Sequence, residues 1–341
     1  MVTRLADLFP LILVAAASAL IASPLLIRLC PRMGLVDIPG SAPHKGHSTP
    51  MPLAGGLALL TAILVSYSAL RPAVDTQVVG ILLGAVMMSL WGILDDRFGL
   101  EPWQKLVGQV LAAGVLVAFG VQVRMTRVPA VDLLITLMWM VGMANAFNFV
   151  DSMDGLALGL AAIASAFFVL VTIDSLQPVL SALSATILGA TIGLFFFNAS
   201  PAKLFLGDSG AQLLGFVLAS LGIAYVPGQA GLPQGVSWFT PILVLGVPIF
   251  DMALVVFSRV RRGKPIYHPG RDHTYHRLAA LGLDSTRSVL AMQVGAIVLG
   301  LVAFIALAAS VLVANAVFAC VLLVGMLAVG MLDRSPDRLE G

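Results

Sequence analysis

The stretch Asn145-Ala-Phe-Asn148-Phe-Val-Asp151-Ser-Met-Asp154-Gly-Leu-Ala157 lies between two long apolar runs and places an amide or a carboxylate at every third position. On a helix, residues three apart are surface neighbours, so adjacent members of this series can act together. Asp and Asn also favour helix starts, but a cap needs one such residue, not four in phase. Two amides and two carboxylates at a membrane boundary suit a metal ion and a polar ligand. The rest of the chain reads as a scaffold that brings further charged loops to this one.

Composition makes that scaffold a membrane one. Of 341 residues, 59% are hydrophobic and 11% charged, against about 25% charged in soluble domains. Mean hydropathy is +1.01. Eleven apolar runs approach the roughly 20 residues that a spanning helix needs: 8–29, 53–70, 78–94, 104–121, 131–149, 156–173, 179–197, 210–226, 237–257, 288–309 and 312–332. Lipid leaves an open chain no other way to satisfy its backbone, so each run is expected to be a helix. The fold class is an all-α polytopic integral membrane protein, one domain over residues 1–341. The first run is longer than a secretory signal core and reads as the first span. Cys30 and Cys320 offer no disulfide framework and no Cys-based metal site.

Charge sets the orientation. Arg4, Arg71, Arg124 and Arg127 fall on one side, and the other fifteen of the 19 Lys and Arg residues fall on the opposite side. The basic side is expected to be cytoplasmic, with the N-terminus outside and the C-terminus inside. Every dense polar cluster falls on that same side: His44–Pro52, Asp95–Asp96, Asn145–Asp154, Asn198–Gly210 and Arg259–Arg287. A structural protein has little reason to sort its acids, histidines and glycines in this way. A secondary transporter places polar groups near the midplane, between inverted repeats; here only Asp251, three residues after Pro248, lies inside a run. An intramembrane acid is a functional candidate unless it merely pairs with a nearby Arg.

Each cluster has its own chemistry. Asp95 and Asp96 repel unless a cation or proton stands between them, and they oppose the dipole at the end of the third run. Magnesium is held by one or two carboxylates, phosphate oxygens and water. Gly207 and Gly210 flank Asp208 and open a helix whose free N–H groups can meet phosphate. Lys203 adds a point charge there, and Phe205 a stacking face. The Arg259–Arg287 loop is basic enough to attract anionic headgroups, but that role does not call for His268, His273 and His276. Histidines at this spacing bind metal or diphosphate oxygens, or move protons. The first inner loop offers Lys45 and His47 before Gly55 and Gly56.

Taken together and in order, these motifs resemble the polyprenyl-phosphate N-acetylhexosamine-1-phosphate transferases (glycosyltransferase family 4). The resemblance runs from about Asp37 to Leu278. It rests on His47-x-x-Pro50-x-Pro52-x-x-Gly55-Gly56, on Asp95-Asp96 followed by Lys105 and Gln109, and on the Asn145–Gly155 series. Asn198-x-x-Pro201-Ala202-Lys203-x-Phe205-x-Gly207-Asp208-Ser209-Gly210, Pro248-x-x-Asp251 and the His273/His276 loop complete it. Two positions depart from the family pattern: Tyr275 replaces the middle histidine of its His-x-His-His, and His44 stands where Arg is common. The His-His-His run of the pentapeptide-loading branch is absent, which favours the UDP-N-acetylhexosamine branch.

The resemblance implies transfer of N-acetylhexosamine-1-phosphate, GlcNAc-1-phosphate first among the candidates, from a UDP-sugar to undecaprenyl or polyprenyl phosphate, with release of UMP. The cofactor implied is Mg2+, with Mn2+ as a substitute. Asp208 is the main metal ligand, with Asp151 and Asp95. Asp95 and Asp96 stand near the lipid phosphate, one aiding its deprotonation. Asn148, Asp151, Asp154, Asn198 and Phe205 hold the uridine half. His273, His276, Arg271 and Lys105 neutralise diphosphate, while Lys45, His47, Asn145 and Lys203 complete the substrate site. A bacterial inner membrane, a lipid substrate, no nucleic-acid partner and a homodimer belong to the same expectation. The alternatives are a phospho-MurNAc-pentapeptide transferase, a secondary transporter and an inactive lipid-binding scaffold.

Overall fold

The computed structural model describes residues 4–39, 49–226, 238–266, 270 and 272–333. Lys45, His47 and Arg271, with His44 and His268, lie outside the described residues. The chain begins with α1 (Leu5–Leu29), a single 3-10 turn (Cys30–Met33) and two short strands, β1 (Val36–Asp37) and β2 (Met51–Pro52). Then follow α2 (Gly55–Leu70), α3 (Thr76–Phe98), α4 (Pro102–Ala118), α5 (Pro129–Val150), α6 (Leu156–Asp174), α7 (Pro178–Asn198) and α8 (Gly207–Ala224). The last part holds α9 (Thr240–Val244), α10 (Gly246–Arg261), α11 (Thr274–Ala280), α12 (Ser285–Ala306) and α13 (Val311–Asp333). The protein is an all-α polytopic membrane protein.

Each of the eleven expected runs contains a helix, but among the described residues eight helices are long and apolar enough to cross a bilayer: α1, α3, α5, α6, α7, α8, α12 and α13. The other three, α2, α4 and α10, have 16, 17 and 16 residues. At about 1.5 Å per residue they lie at the lower limit of spanning length, about 17 residues for a hydrocarbon core about 30 Å thick. The run expected over 237–257 is not one helix. Pro248 has no N–H to give and its ring crowds the carbonyl four residues back, at Val244; the chain breaks at Leu245, between α9 and α10. The β1–β2 pair, with Val36 opposite Pro52 and Asp37 opposite Met51, draws together the two ends of the first inner loop.

Burial sorts the helices into layers. Most of α6, α7 and α8 is enclosed, whereas α1, α12 and α13 turn most of their surface outward, as lipid-facing helices do. The buried core runs through α2, α3, α5, α6, α7 and α8. Two glycines allow that core to close at the polar end. A Cβ on Gly92 of α3 would lie 2.3 Å from Ser209 Cα, and one on Gly56 of α2 would lie 2.3 Å from Ser209 Oγ. Both helices therefore lie backbone-close to the start of α8, as small residues permit in lipid.

Candidate active site

The close approach at Gly92 puts the last turn of α3 beside the first turn of α8. Asp96 Oδ1 accepts the Asp208 N–H at 2.8 Å and Oδ2 accepts the Ser209 N–H at 3.1 Å. These are two of the donors that a helix start leaves without partners, so Asp96 caps α8 from another helix. Asp95 turns the other way. Its Oδ1 accepts the Leu100 N–H at 2.9 Å, and its Oδ2 lies 2.6 Å from Lys105 Nζ. Lys105, in the first turn of α4, also lies 3.4 Å from Asp208 Oδ2. One lysine thus stands between two carboxylates.

The series from Asn145 to Asp154 does not share one helix. α5 ends at Val150; Asn145 and Asn148 belong to it, Asp151 is its C-cap, and Asp154 lies in the following turn. Gly155, at φ 74°, takes the left-handed conformation that starts α6. Asp151 faces the acids on α3 and α8. Burial in this crowded spot, and then the charges of Asp208, Asp96 and Asp154, push its carboxyl well above the usual carboxylate range. The Asn145 amide is taken up inside the bundle: Nδ2 donates to Gln109 Oε1 at 2.9 Å and to the Val141 carbonyl at 2.8 Å. Gln109 Nε2 donates to Gln212 Oε1 at 3.2 Å, and Gln212 Nε2 to Asp208 Oδ1 at 3.4 Å. A line of amides therefore runs from Asn145 to Asp208.

The loops around 154 and 200 brace one another. Asp154 Oδ2 accepts the Ala202 N–H at 3.1 Å. Buried Asn198 accepts the Gly155 N–H at 3.1 Å and donates to the Leu204 carbonyl at 3.2 Å. Phe205 joins the first inner loop through its backbone, donating to the Pro52 carbonyl at 2.9 Å and accepting the Gly55 N–H at 3.1 Å. The Lys203 side chain is exposed.

A second group lies against the end of α5. His273 Nδ1 is 3.0 Å from Asp251 Oδ2, and the Thr274 N–H donates to Asp251 Oδ1 at 2.6 Å. The intramembrane acid therefore has a histidine for its partner, not an arginine. Phe149, two residues before Asp151, meets the His273 ring edge-on at 5.6 Å. Tyr275, which replaces the family's middle histidine, stacks on His273 at 5.9 Å and lies 4.0 Å from the His276 ring. Arg259 holds Asp272 with two bonds of 2.8 Å. Burial by itself raises the Asp272 carboxyl, but the Arg259 guanidinium outweighs it and holds the group below its ordinary value.

Among the described residues, no three of His, Cys, Asp and Glu converge as a ready-made metal cage. Magnesium does not require one, since it keeps waters and shares phosphate oxygens. Asp95, Asp151 and Asp208 are hard oxygen donors with Lys105 as the cation between two of them, and Asp151 is destabilised by its acidic neighbours. That donor set fits a divalent cation. Sequence reasoning assigned no role to Gln109, read Arg277 only as one cation of a basic loop, and missed Gln212, Arg259 and Asp333. The signal for the glutamines was present: each lies four residues after a charged site residue, inside an apolar run, where a polar side chain needs a reason.

The structure thus joins apolar helices long enough to cross a bilayer to carboxylates, a lysine and a helix N-terminus gathered in one place. The sequence matches glycosyl transferase family 4 over residues 78–226, a segment that contains every acid of the α3–α5–α8 cluster. It is 30% identical over 311 residues to a Bacillus subtilis protein named a probable undecaprenyl-phosphate N-acetylglucosaminyl 1-phosphate transferase, covering 88% of this chain and 85% of the relative. It is 32% identical over 312 residues to the Mycobacterium tuberculosis decaprenyl-phosphate N-acetylglucosaminephosphotransferase, covering 81% and 76%. A phospho-N-acetylmuramoyl-pentapeptide-transferase from Mycolicibacterium gilvum is 28% identical over 319 residues, covering 75% and 86%. The chain belongs to the polyprenyl-phosphate N-acetylhexosamine-1-phosphate transferase family.

Proposed function

We propose that the protein transfers GlcNAc-1-phosphate from UDP-GlcNAc to undecaprenyl or another polyprenyl phosphate, at the cytoplasmic face of the inner membrane. The observation that carries this reading is the assembly of Asp95, Asp96, Asp151 and Asp208 from three separate elements at the start of α8, with Lys105 between Asp95 and Asp208. A phosphate oxygen of the lipid attacks the β-phosphorus of the nucleotide sugar. The P–O bond to the bridging oxygen breaks, UMP leaves with that oxygen, and a lipid-diphosphate-sugar remains. Positioning and cations do most of the work in such a transfer.

Asp208 and Asp151 would hold magnesium, with manganese as its substitute, and Lys105 would turn from Asp95 to phosphate. Bound there, the ion would neutralise charge on the phosphoryl oxygens. Asp96 keeps the α8 N-terminus in place, which is a positioning role; this leaves Asp95 as the carboxylate able to take a proton from the lipid phosphate. Asn148 and Phe205 face the uridine half. Asp154 and Asn198 shape that pocket by bracing the loops around it. Asp251 takes His273 Nδ1 and leaves Nε2 for the diphosphate, beside His276. Lys45, His47 and Arg271 bring cations from the flanking loops, and Lys203 adds one at the rim. The cytoplasmic orientation follows from the cation bias, and a homodimer is part of this reading by family resemblance.

The test is the nucleotide released by purified protein given UDP-GlcNAc, undecaprenyl phosphate and magnesium. UMP that depends on both lipid and metal supports the proposal. UDP would mean plain glycosyl transfer and refute it. Turnover only with UDP-MurNAc-pentapeptide would move the protein to the other branch.

A further inference from the structure

The basic loop after α10 contains a cation that no headgroup can reach. Arg277 is 1% exposed and heads the fully buried side chains by volume. Its Nε donates to the Asp272 carbonyl at 3.0 Å, one terminal nitrogen to the Leu332 carbonyl at 2.6 Å, and the other to Ser258 Oγ at 2.8 Å. Asp333, 2% exposed, closes the arrangement. It lies 3.7 Å from Arg277, pairs with Arg261, and lies 3.4 Å from Arg262. The last turn of α13, its final carboxylate included, is thus the socket for an arginine fork. Few other residues of α13 are buried: Ala314 and Phe318 complete the set.

The carbonyl that Arg277 grips belongs to the residue immediately before His273. On the other side of His273, the Thr274 N–H is held by Asp251. His273 therefore sits between two fixed backbone groups, one tied to α10 and one to the end of α13. We infer that Arg277, seated on Leu332 and Asp333 at the end of α13, is a positioning residue that sets where His273 stands. A lysine ammonium also carries three donors, but all on one nitrogen, whereas the Asp272, Leu332 and Ser258 acceptors are each met by a different nitrogen of the planar fork. A buried cation with this many partners is also one whose removal leaves the remaining groups unsatisfied. The inference rests on the proposed role of His273 toward the diphosphate.

The experiment compares the full-length native protein with Arg277→Lys, Arg277→Met, Asp333→Asn and His273→Ala in lipid-detergent micelles. Two quantities are read: kcat and KM for UDP-GlcNAc, and the rate at which diethylpyrocarbonate modifies His273, followed by peptide mass. His273 is 8% exposed, so it should react slowly in the native protein. Arg277→Lys and Arg277→Met should both lose kcat by about tenfold or more, as mispositioning one donor to developing charge does, with KM little changed. Modification of His273 should be several-fold faster in both. Native kcat and native modification rate in Arg277→Lys would overturn the inference, since charge alone would then suffice. If the Arg277 variants do not fold, Asp333→Asn carries the test; it keeps the Leu332 and Ser258 bonds, and an unchanged modification rate there overturns the inference equally. If His273→Ala keeps native turnover, the function read for His273 fails, while the modification rates still decide what Arg277 does.

Discussion

Gly92→Ala adds one methyl group to α3, and the structure says where it must go. The new Cβ would lie 2.3 Å from Ser209 Cα, 2.5 Å from Ser209 N and 2.8 Å from Asp208 C. All three are backbone atoms, so no side chain can swing aside. Carbon atoms rest at about 3.5–4.0 Å, so α3 and α8 must part by about 1.2 Å. The Asp96–Asp208 bond of 2.8 Å and the Asp96–Ser209 bond of 3.1 Å would then reach about 4 Å, beyond hydrogen-bond range. Each is a bond to a charged group worth about 1.5–3 kcal/mol. A misplacement of about 1 Å at a catalytic centre costs on the order of a hundredfold in rate. The expected outcome is a folded protein with kcat reduced roughly that far, read as nucleotide release in micelles with thermal melting as the control for folding. Gly114→Ala on α4 is the matched control: its Cβ would meet nothing within 4 Å, and turnover should stay native. Full activity in Gly92→Ala would show that the spacing of α3 and α8 does not hold the site.

Asp96→Asn retains one acceptor oxygen for two N–H donors, so kcat should fall while the shape of the pH–rate profile stays native; loss of a limb of that profile would instead make Asp96 the proton acceptor. Gln212→Leu removes the amide that Asp208 meets and should raise the magnesium concentration for half-maximal activity several-fold without lowering the melting temperature; an unchanged magnesium requirement would assign the amide line to packing alone. Asp272 has a carboxyl held below its usual value, so its pairing with Arg259 stabilises the loop above the unfolded pKa of about 3.9 and is lost only as pH falls through the lower folded value. Hydrogen-exchange protection of the Arg262, Gly263 and Lys264 amides should therefore persist from pH 7 to 5; protection lost within that window would contradict the pairing.

The apolar runs were legible in the sequence, because lipid forces helices. Asp251 was legible as an acid inside an apolar run, but its partner was not: His273 lies 22 residues away and reaches it through tertiary packing. The period-three series from Asn145 suggested one helical face. The helix stops at Val150 because the chain must reverse at Gly155 to begin α6, so Asp151 faces the acids on α3 and α8 while Asp154 braces the next loop. Asp96 read as a candidate base at the lipid phosphate and Asn198 as a ligand for the uridine half; in the structure each also gives its polar atoms to backbone of another loop or helix. Residue type shows that a side chain can donate or accept; it does not show which group has already claimed it. Arg277 looked like one more cation of a basic loop, and only the docking of α13 shows it to be buried.

The most direct measurement of the central claim follows the phosphorus. UDP-GlcNAc labelled with 32P in the β-phosphate is given to the native protein and to Asp208→Asn with undecaprenyl phosphate and magnesium, and the solvent-extractable lipid is counted. The account predicts label in the lipid with the native protein and none with Asp208→Asn of equal melting temperature. Label remaining in the water-soluble nucleotide while the sugar moves to lipid, or undiminished transfer by Asp208→Asn, would contradict it.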